Sequence, residues 1–155
     1  MSYCENLTQK LAVVGYTPPA TVAPAGTAAI TGIDMSYFRR VLFVVAVGSV
    51  TATGSVKTKI QACSTSGGTY VDVDATNAAT ASMATSNKIA LLEARAEDLS
   101  AAAVAAGYSS YRYLGCLSTV STANVLFGVV VLAEVARNDP ASLQNIAAVT
   151  SIVVY

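Results

Sequence analysis

The chain contains no histidine and no tryptophan, and only 12% of its 155 residues are charged. Without histidine it lacks the commonest general base and imidazole metal ligand, and nucleophile triads of the Ser-His type are excluded. Without tryptophan it lacks the usual stacking platform for sugars. Nine basic residues balance nine acidic ones, so there is no basic excess of the kind that nucleic acid attracts, and nucleic acid is not expected as a partner. Only three cysteines are present, Cys4, Cys63 and Cys116. Odd in number and widely spaced, they fit neither a disulfide framework nor a zinc site, and buried free thiols are expected. Long apolar runs are missing too: Val41–Val47 and Val125–Ala133 are strand-length, well short of the roughly 18 to 20 residues a spanning helix needs. No membrane partner is expected. Met1–Glu5 shows no basic region followed by an apolar one, so the sequence implies synthesis in a reducing cytoplasm.

What the chain does have is apolar surface to cover. Hydrophobic residues make up 54% of it, whereas soluble domains ordinarily carry about 25% charged residues. Large exposed apolar patches mark protein interfaces. The composition therefore predicts a homo-oligomer or a firmly bound protein partner; a trimer or dimer is the oligomer expected.

Strand patterning dominates the middle. Arg40–Val47 is a β-branched run ending at Gly48, the pattern of a strand buried on both faces. Val56–Ala62 alternates apolar with polar residues, as a strand with one wet face should, and Thr51–Gly54 between the two reads as a hairpin turn. Ser64–Thr69 supplies a glycine-rich turn, and Tyr70–Asp74 resumes the alternation. Ile89–Glu97 places Glu93, Arg95 and Glu97 on one face and Leu92, Ala94 and Ala96 on the other; Tyr111–Leu117 and Val125–Val135 complete the strands. Short strands separated by turns predict an all-β fold: a single antiparallel β-sandwich of jelly-roll type over residues 21–136, with short helical insertions.

Arms flank this domain at residues 1–20 and 137–155. Ser2 and Glu5 have capping-box spacing ahead of Leu7, Leu11 and Val14, which predicts a short N-terminal helix or an extended arm. Asp98-Leu99-Ser100 followed by alanines to Gly107 predicts a short inserted helix. Asp139-Pro140 would start another, with Leu143, Ile146 and Val149 on its apolar face. Ser151–Tyr155 returns to strand character, and this tail is expected to dock on a neighbour or on its own sandwich. The candidate interaction residues are Leu7, Leu11, Tyr111, Tyr113, Leu143, Ile146, Val149, Ile152, Val153 and Tyr155. The tyrosines belong to the one aromatic cluster, Tyr108, Tyr111 and Tyr113 around Arg112.

Catalytic chemistry finds little footing. Asp72 with Asp74, and Glu93 with Glu97, have the spacing of any half-exposed strand face. Ser66-Gly67-Gly68-Thr69 lacks the lysine and the following helix of a phosphate loop. No catalytic residue, metal site or cofactor is assigned, and the chain is not expected to be an enzyme.

The order of motifs resembles small structural proteins of tailed bacteriophages that are encoded beside the major capsid protein. It runs from Gly32-Ile33-Asp34-Met35-Ser36-Tyr37-Phe38 to Phe43-Val44-Val45-Ala46-Val47-Gly48, then Lys59-Ile60-Gln61-Ala62, the Gly-Gly turn and Tyr70-Val71-Asp72-Val73. Leu92–Leu99, Tyr111-Arg112-Tyr113-Leu114 and Arg137-Asn138-Asp139-Pro140-Ala141 follow, so the similarity covers about residues 8 to 150. The alanine stretch Ala101–Ala106 departs from it. The resemblance implies a non-enzymatic virion component made in a bacterial cytoplasm: a capsid decoration or cement protein that binds the major capsid protein or other virion proteins. It transfers no catalytic residue. A head-tail connector, tail or fibre component is the alternative, and a sugar- or ligand-binding sandwich the alternative from another class.

Overall fold

A computed structural model of the chain describes residues 7–73, 80–105, 110–136, 145–151 and 153. Its strands are β1 (Leu11–Val22), β2 (Thr27–Asp34), β3 (Phe38–Val50), β4 (Ser55–Cys63), β5 (Val71–Asp72), β6 (Thr80–Met83), β7 (Lys88–Arg95), β8 (Tyr113–Ser121) and β9 (Val125–Ala136), with α1 at Leu7–Lys10 and α2 at Ala96–Ala105. They form two antiparallel sheets. One has the order β1-β9-β3-β7; the other runs β2-β8-β4-β5, with β6 also paired to β4. β5 and β6 lie along the same edge of β4, their registers offset by six residues. Counted as one interrupted strand, they leave eight strands, four in each layer, and successive strands change layer everywhere except from β4 to β5/β6, which is the double-sheet jelly roll shared by viral capsid, lectin and cupin domains. The fold class read from the sequence is thus the fold observed.

Alternation explains the core. From the first sheet Val41, Phe43, Val45 and Val47 point inward beside Phe127, Val129 and Val131; from the second, Val56, Ile60, Leu114 and Val120 meet them, and all are buried. Two polar side chains, Thr58 and Ser118, are fully buried and satisfy each other across β4 and β8 at 2.8 Å. Cys63 and Cys116 are free and buried, as expected; Cys4 lies outside the described residues.

Several local expectations change. Thr51–Gly54 is a turn, closed by the Gly54 N–H to the Thr51 carbonyl at 2.9 Å, but it joins no hairpin. β3 pairs with β7 and β9, while β4 pairs with β5, β6 and β8. Each strand has one continuous apolar face, and crossing between layers sets those faces against each other instead of side by side. β3 also runs past Gly48 to Val50, and β7 stops at Arg95, so Ala96 and Glu97 begin α2 two residues earlier than the Asp98 start read from the sequence. Leu99 and Ala103, one turn apart, anchor that helix to the core.

The termini differ most. Only Leu7–Lys10 is helical at the described start, and Leu11–Val22, assigned largely to an arm, is a sheet strand instead. Gly15, Pro18 and Pro19 would ordinarily break a strand. β1 tolerates them because it is an edge strand with irregularities at Val13/Gly15 and Thr17/Ala20. At the other end, Asn145–Val149 is not helical. The Ile146 N–H donates to the Val13 carbonyl at 2.8 Å, the Val13 N–H to Asn145 Oδ1 at 2.6 Å, and the Val149 N–H to the Ile146 carbonyl at 3.0 Å. This piece of the tail covers the open edge of β1 on its own sandwich, satisfying backbone groups that an edge strand would leave unpaired. Ser151 and Val153 lie outside any strand.

Candidate functional site: the outer face of the four-stranded sheet

The two sheets present opposite chemistries to the outside. On the five-stranded sheet the outward positions of β4 and β6 are polar, with Ser55, Lys57, Lys59, Gln61 and Ser82, and those of β8 are mixed, Thr119 and Ser121 following Tyr113, Gly115 and Leu117. Lys59 and Gln61 both bind the Asp72 carboxylate, which holds it below the usual carboxylate range. The four-stranded sheet does the reverse. Its register aligns rows across β1, β9, β3 and β7: Tyr16-Val130-Val44-Leu91, then Val13-Leu132-Leu42-Glu93, and at one end Leu11-Glu134-Arg40-Arg95. Ala46 and Ile89 extend it at the other end. Ile89 and Leu91 are 67% and 64% exposed and Tyr16 45%; Leu42, Val44, Val130 and Leu132 are half-buried.

The runs Val41–Val47 and Val125–Ala133 therefore belong to a sheet that is apolar on both sides. One side is covered by the other layer. The second is open, contrary to the expectation that β3 is buried on both faces. Sheets with two apolar faces occur where something packs on each. The charged end of the face surrounds a hollow of about 180 Å³ lined by Leu11, Leu42, Leu132, Arg40, Glu93 and Glu134. Arg95 approaches Glu93 at 4.0 Å.

A second cluster ties the rim of the sandwich together. Arg112 clamps Asp34 in a fork, Nε to Oδ1 at 3.0 Å and Nη2 to Oδ2 at 2.6 Å, and lies 5.3 Å from the centre of the Tyr113 ring. The Ser36 N–H donates to Asp34 Oδ1 at 2.9 Å. Arg112's hydrogen bond is the main reason the Asp34 carboxyl falls from 3.8 to about 2, against the opposing effect of burial. Gly32, at φ +84°, donates its N–H to the Tyr70 hydroxyl at 2.7 Å. These contacts fix β2 to β8 and to the segment after β4.

The residues singled out from the sequence scatter. Leu11 lies at the hollow on the apolar face. Tyr111 is buried, and Tyr113 is half-buried beside Arg112. Leu7 is 70% exposed on α1 and Val153 68% exposed in the tail. Ile146 and Val149 are half-buried where the tail meets β1. Leu143, Ile152, Tyr155 and Tyr108 lie outside the described residues. So does Asp74; Glu97 sits on α2, so Glu93 and Glu97 do not share a strand face. Among the described residues no group of three or more His, Cys, Asp or Glu side chains could hold a metal ion. Sequence reasoning missed Tyr16, Leu42, Val44, Ile89, Leu91, Val130 and Leu132. Their signal was present, apolar residues at both parities of two strands, but only the β3–β9 pairing makes one surface of it.

No family model and no curated protein matches the chain. Among solved structures it is similar to the infectious bursal disease virus VP2 subviral particle, at 12% identity over 87% of this chain with a TM-score of 0.38. It is also similar to the structure of the infectious bursal disease virus Gx strain, at 11% identity over 88% with a TM-score of 0.34. The chain spans about a third of the length of those chains, 32% and 34%. Function lives in sites and not in folds, so what this chain can do is set by its own surfaces.

Proposed function

We propose that the chain is a non-enzymatic virion structural protein, a decoration or cement protein that binds and stabilises a phage head lattice as an oligomer. The observation that carries this reading is the asymmetry of the sandwich: one sheet polar outside, the other apolar on both faces. A free monomer has no use for a half-open apolar sheet, which invites aggregation. A subunit whose neighbours cover that sheet does. The resemblance of its motif order to small phage virion proteins supports this setting, and the polar sheet would face solvent.

The test is the copy number in purified particles, measured by quantitative mass spectrometry against the major shell protein. Hundreds of copies per particle support a lattice protein. A dozen or fewer place the chain at a connector or tail, and its absence from particles overturns the proposal.

A further inference from the structure

We infer that the apolar face of the β1-β9-β3-β7 sheet closes on the same face of a second copy, about a two-fold axis parallel to the strands and midway between β9 and β3. This deepens the reading above, in that it names what covers the face.

The register selects the axis. Rotation about it exchanges β9 with β3 and β1 with β7, and maps each row of the face onto itself in reverse. In the row Leu11-Glu134-Arg40-Arg95, Arg40 then stands opposite the second copy's Glu134, and Glu134 opposite its Arg40. In the row Tyr16-Val130-Val44-Leu91, Tyr16 meets Leu91 and Val130 meets Val44. Leu42 and Leu132 meet in the row between. An isologous interface requires self-complementarity, and the centre of the face has it in charge, Arg40 with Glu134, while at the rim Arg95 stands opposite the second copy's Leu11 and Glu93 opposite its Val13. Among the described residues neither Arg40 nor Glu134 is engaged in an ion pair within the chain. The second copy provides a partner for each.

The size also fits. Four strands at about 4.8 Å spacing, over some eight residues at about 3.3 Å, give a footprint of roughly 500 Å² per copy. Two copies then bury about 1,000 Å², the level at which specific interfaces begin. Sheets packed face to face align within about 30°, as a two-fold parallel to the strands requires.

Sedimentation of the full chain tests the inference. The expected species at about 100 µM has twice the 15.8 kDa chain mass. Leu91→Glu should weaken association at least about 100-fold with an unchanged circular dichroism spectrum, because Leu91 is largely exposed within one copy. Should that variant misfold, Ala46→Lys on the same exposed face takes its place. Arg40→Glu alone should weaken the dimer roughly tenfold, and Arg40→Glu with Glu134→Arg should restore it. A wild-type monomer or trimer at this concentration, a dimer indifferent to Leu91→Glu, or single and double charge variants that behave alike would each overturn the inference. A monomer that still binds capsids leaves the virion reading intact and moves this face to the capsid protein. A dimer absent from purified particles defeats the virion reading and leaves the dimer.

Discussion

Asp34 and Arg112 show how much a pair of residues can decide and how little of it the sequence displays. They are 78 positions apart, and only the β2–β8 pairing brings them together. The sequence places Asp34 in the motif Gly32–Phe38 and Arg112 in an aromatic cluster, but a contact this distant along the chain leaves no local trace. Because folding lowers the Asp34 pKa from 3.8 to about 2, its contribution is complete above pH 4 and is lost as pH falls from about 4 to 2. Asp34→Asn should cost about 1 kcal/mol at pH 7, since the pair is partly screened by water. It should also flatten the acid limb of stability, read as the urea midpoint against pH; an unchanged limb would show that the clamp adds nothing. Cys116 was legible from the start, as a thiol in an apolar strand of a chain with no disulfide pattern. Burial pushes its pKa up to about 11, so it should resist thiol reagents at about pH 8 in the folded protein and react on unfolding. Rapid labelling of native protein at Cys116 would contradict that burial.

Among the elements, the strands that alternate cleanly were legible and the one that breaks the rules was not. β4 and β7 follow period-two patterning, and their expected inward residues, such as Val56, Ile60, Leu92 and Ala94, are buried. β1 contains a glycine and two prolines, and its place in the sheet depends on bulges and an edge position that no local pattern announces. Gly15 explains its own presence: a Cβ there would lie 2.7 Å from Ile30 Cγ2 and 2.9 Å from Val131 Cγ2. Gly15→Ala should therefore destabilise by about 1 to 3 kcal/mol through overpacking, and a thermal melt no lower than wild type would show that β1 can shift to absorb the methyl. Over Asn145–Val149 the tail lies against β1 instead of forming the helix expected there, and the expected start of that helix at Asp139-Pro140 lies outside the described residues. Removing Asp139–Tyr155 strips the Asn145 and Ile146 hydrogen bonds from Val13, at about 1 to 2 kcal/mol in all, while every strand stays in place. The truncated chain should fold, with a melting temperature a few degrees lower. An unfolded spectrum would mean that the tail belongs to the core.

For the whole molecule, composition pointed to covered surface, and only topology says where it is. Low charge and apolar runs predict an assembly, but a one-dimensional pattern cannot show that Val44 and Val130 stand side by side on a single open face. Coupling between that face and folding gives the last prediction. If a second copy covers the sheet, unfolding and dissociation occur together, and stability rises with concentration by mass action. Each tenfold increase adds about 1.4 kcal/mol per dimer, which over the unfolding entropy of two chains of this length raises the melting temperature by about 2 °C. Leu91→Glu should abolish the dependence and leave the melting temperature of the dilute chain nearly unchanged, because in one copy that side chain mostly meets water. Phe127→Ala, which empties a buried site of the core, should do the opposite: it lowers stability by about 3 to 5 kcal/mol at every concentration. Melting curves over a hundredfold concentration range separate the two. A wild-type melting temperature that ignores concentration would mean that folding owes nothing to a neighbour and that the apolar face stays open in the isolated chain.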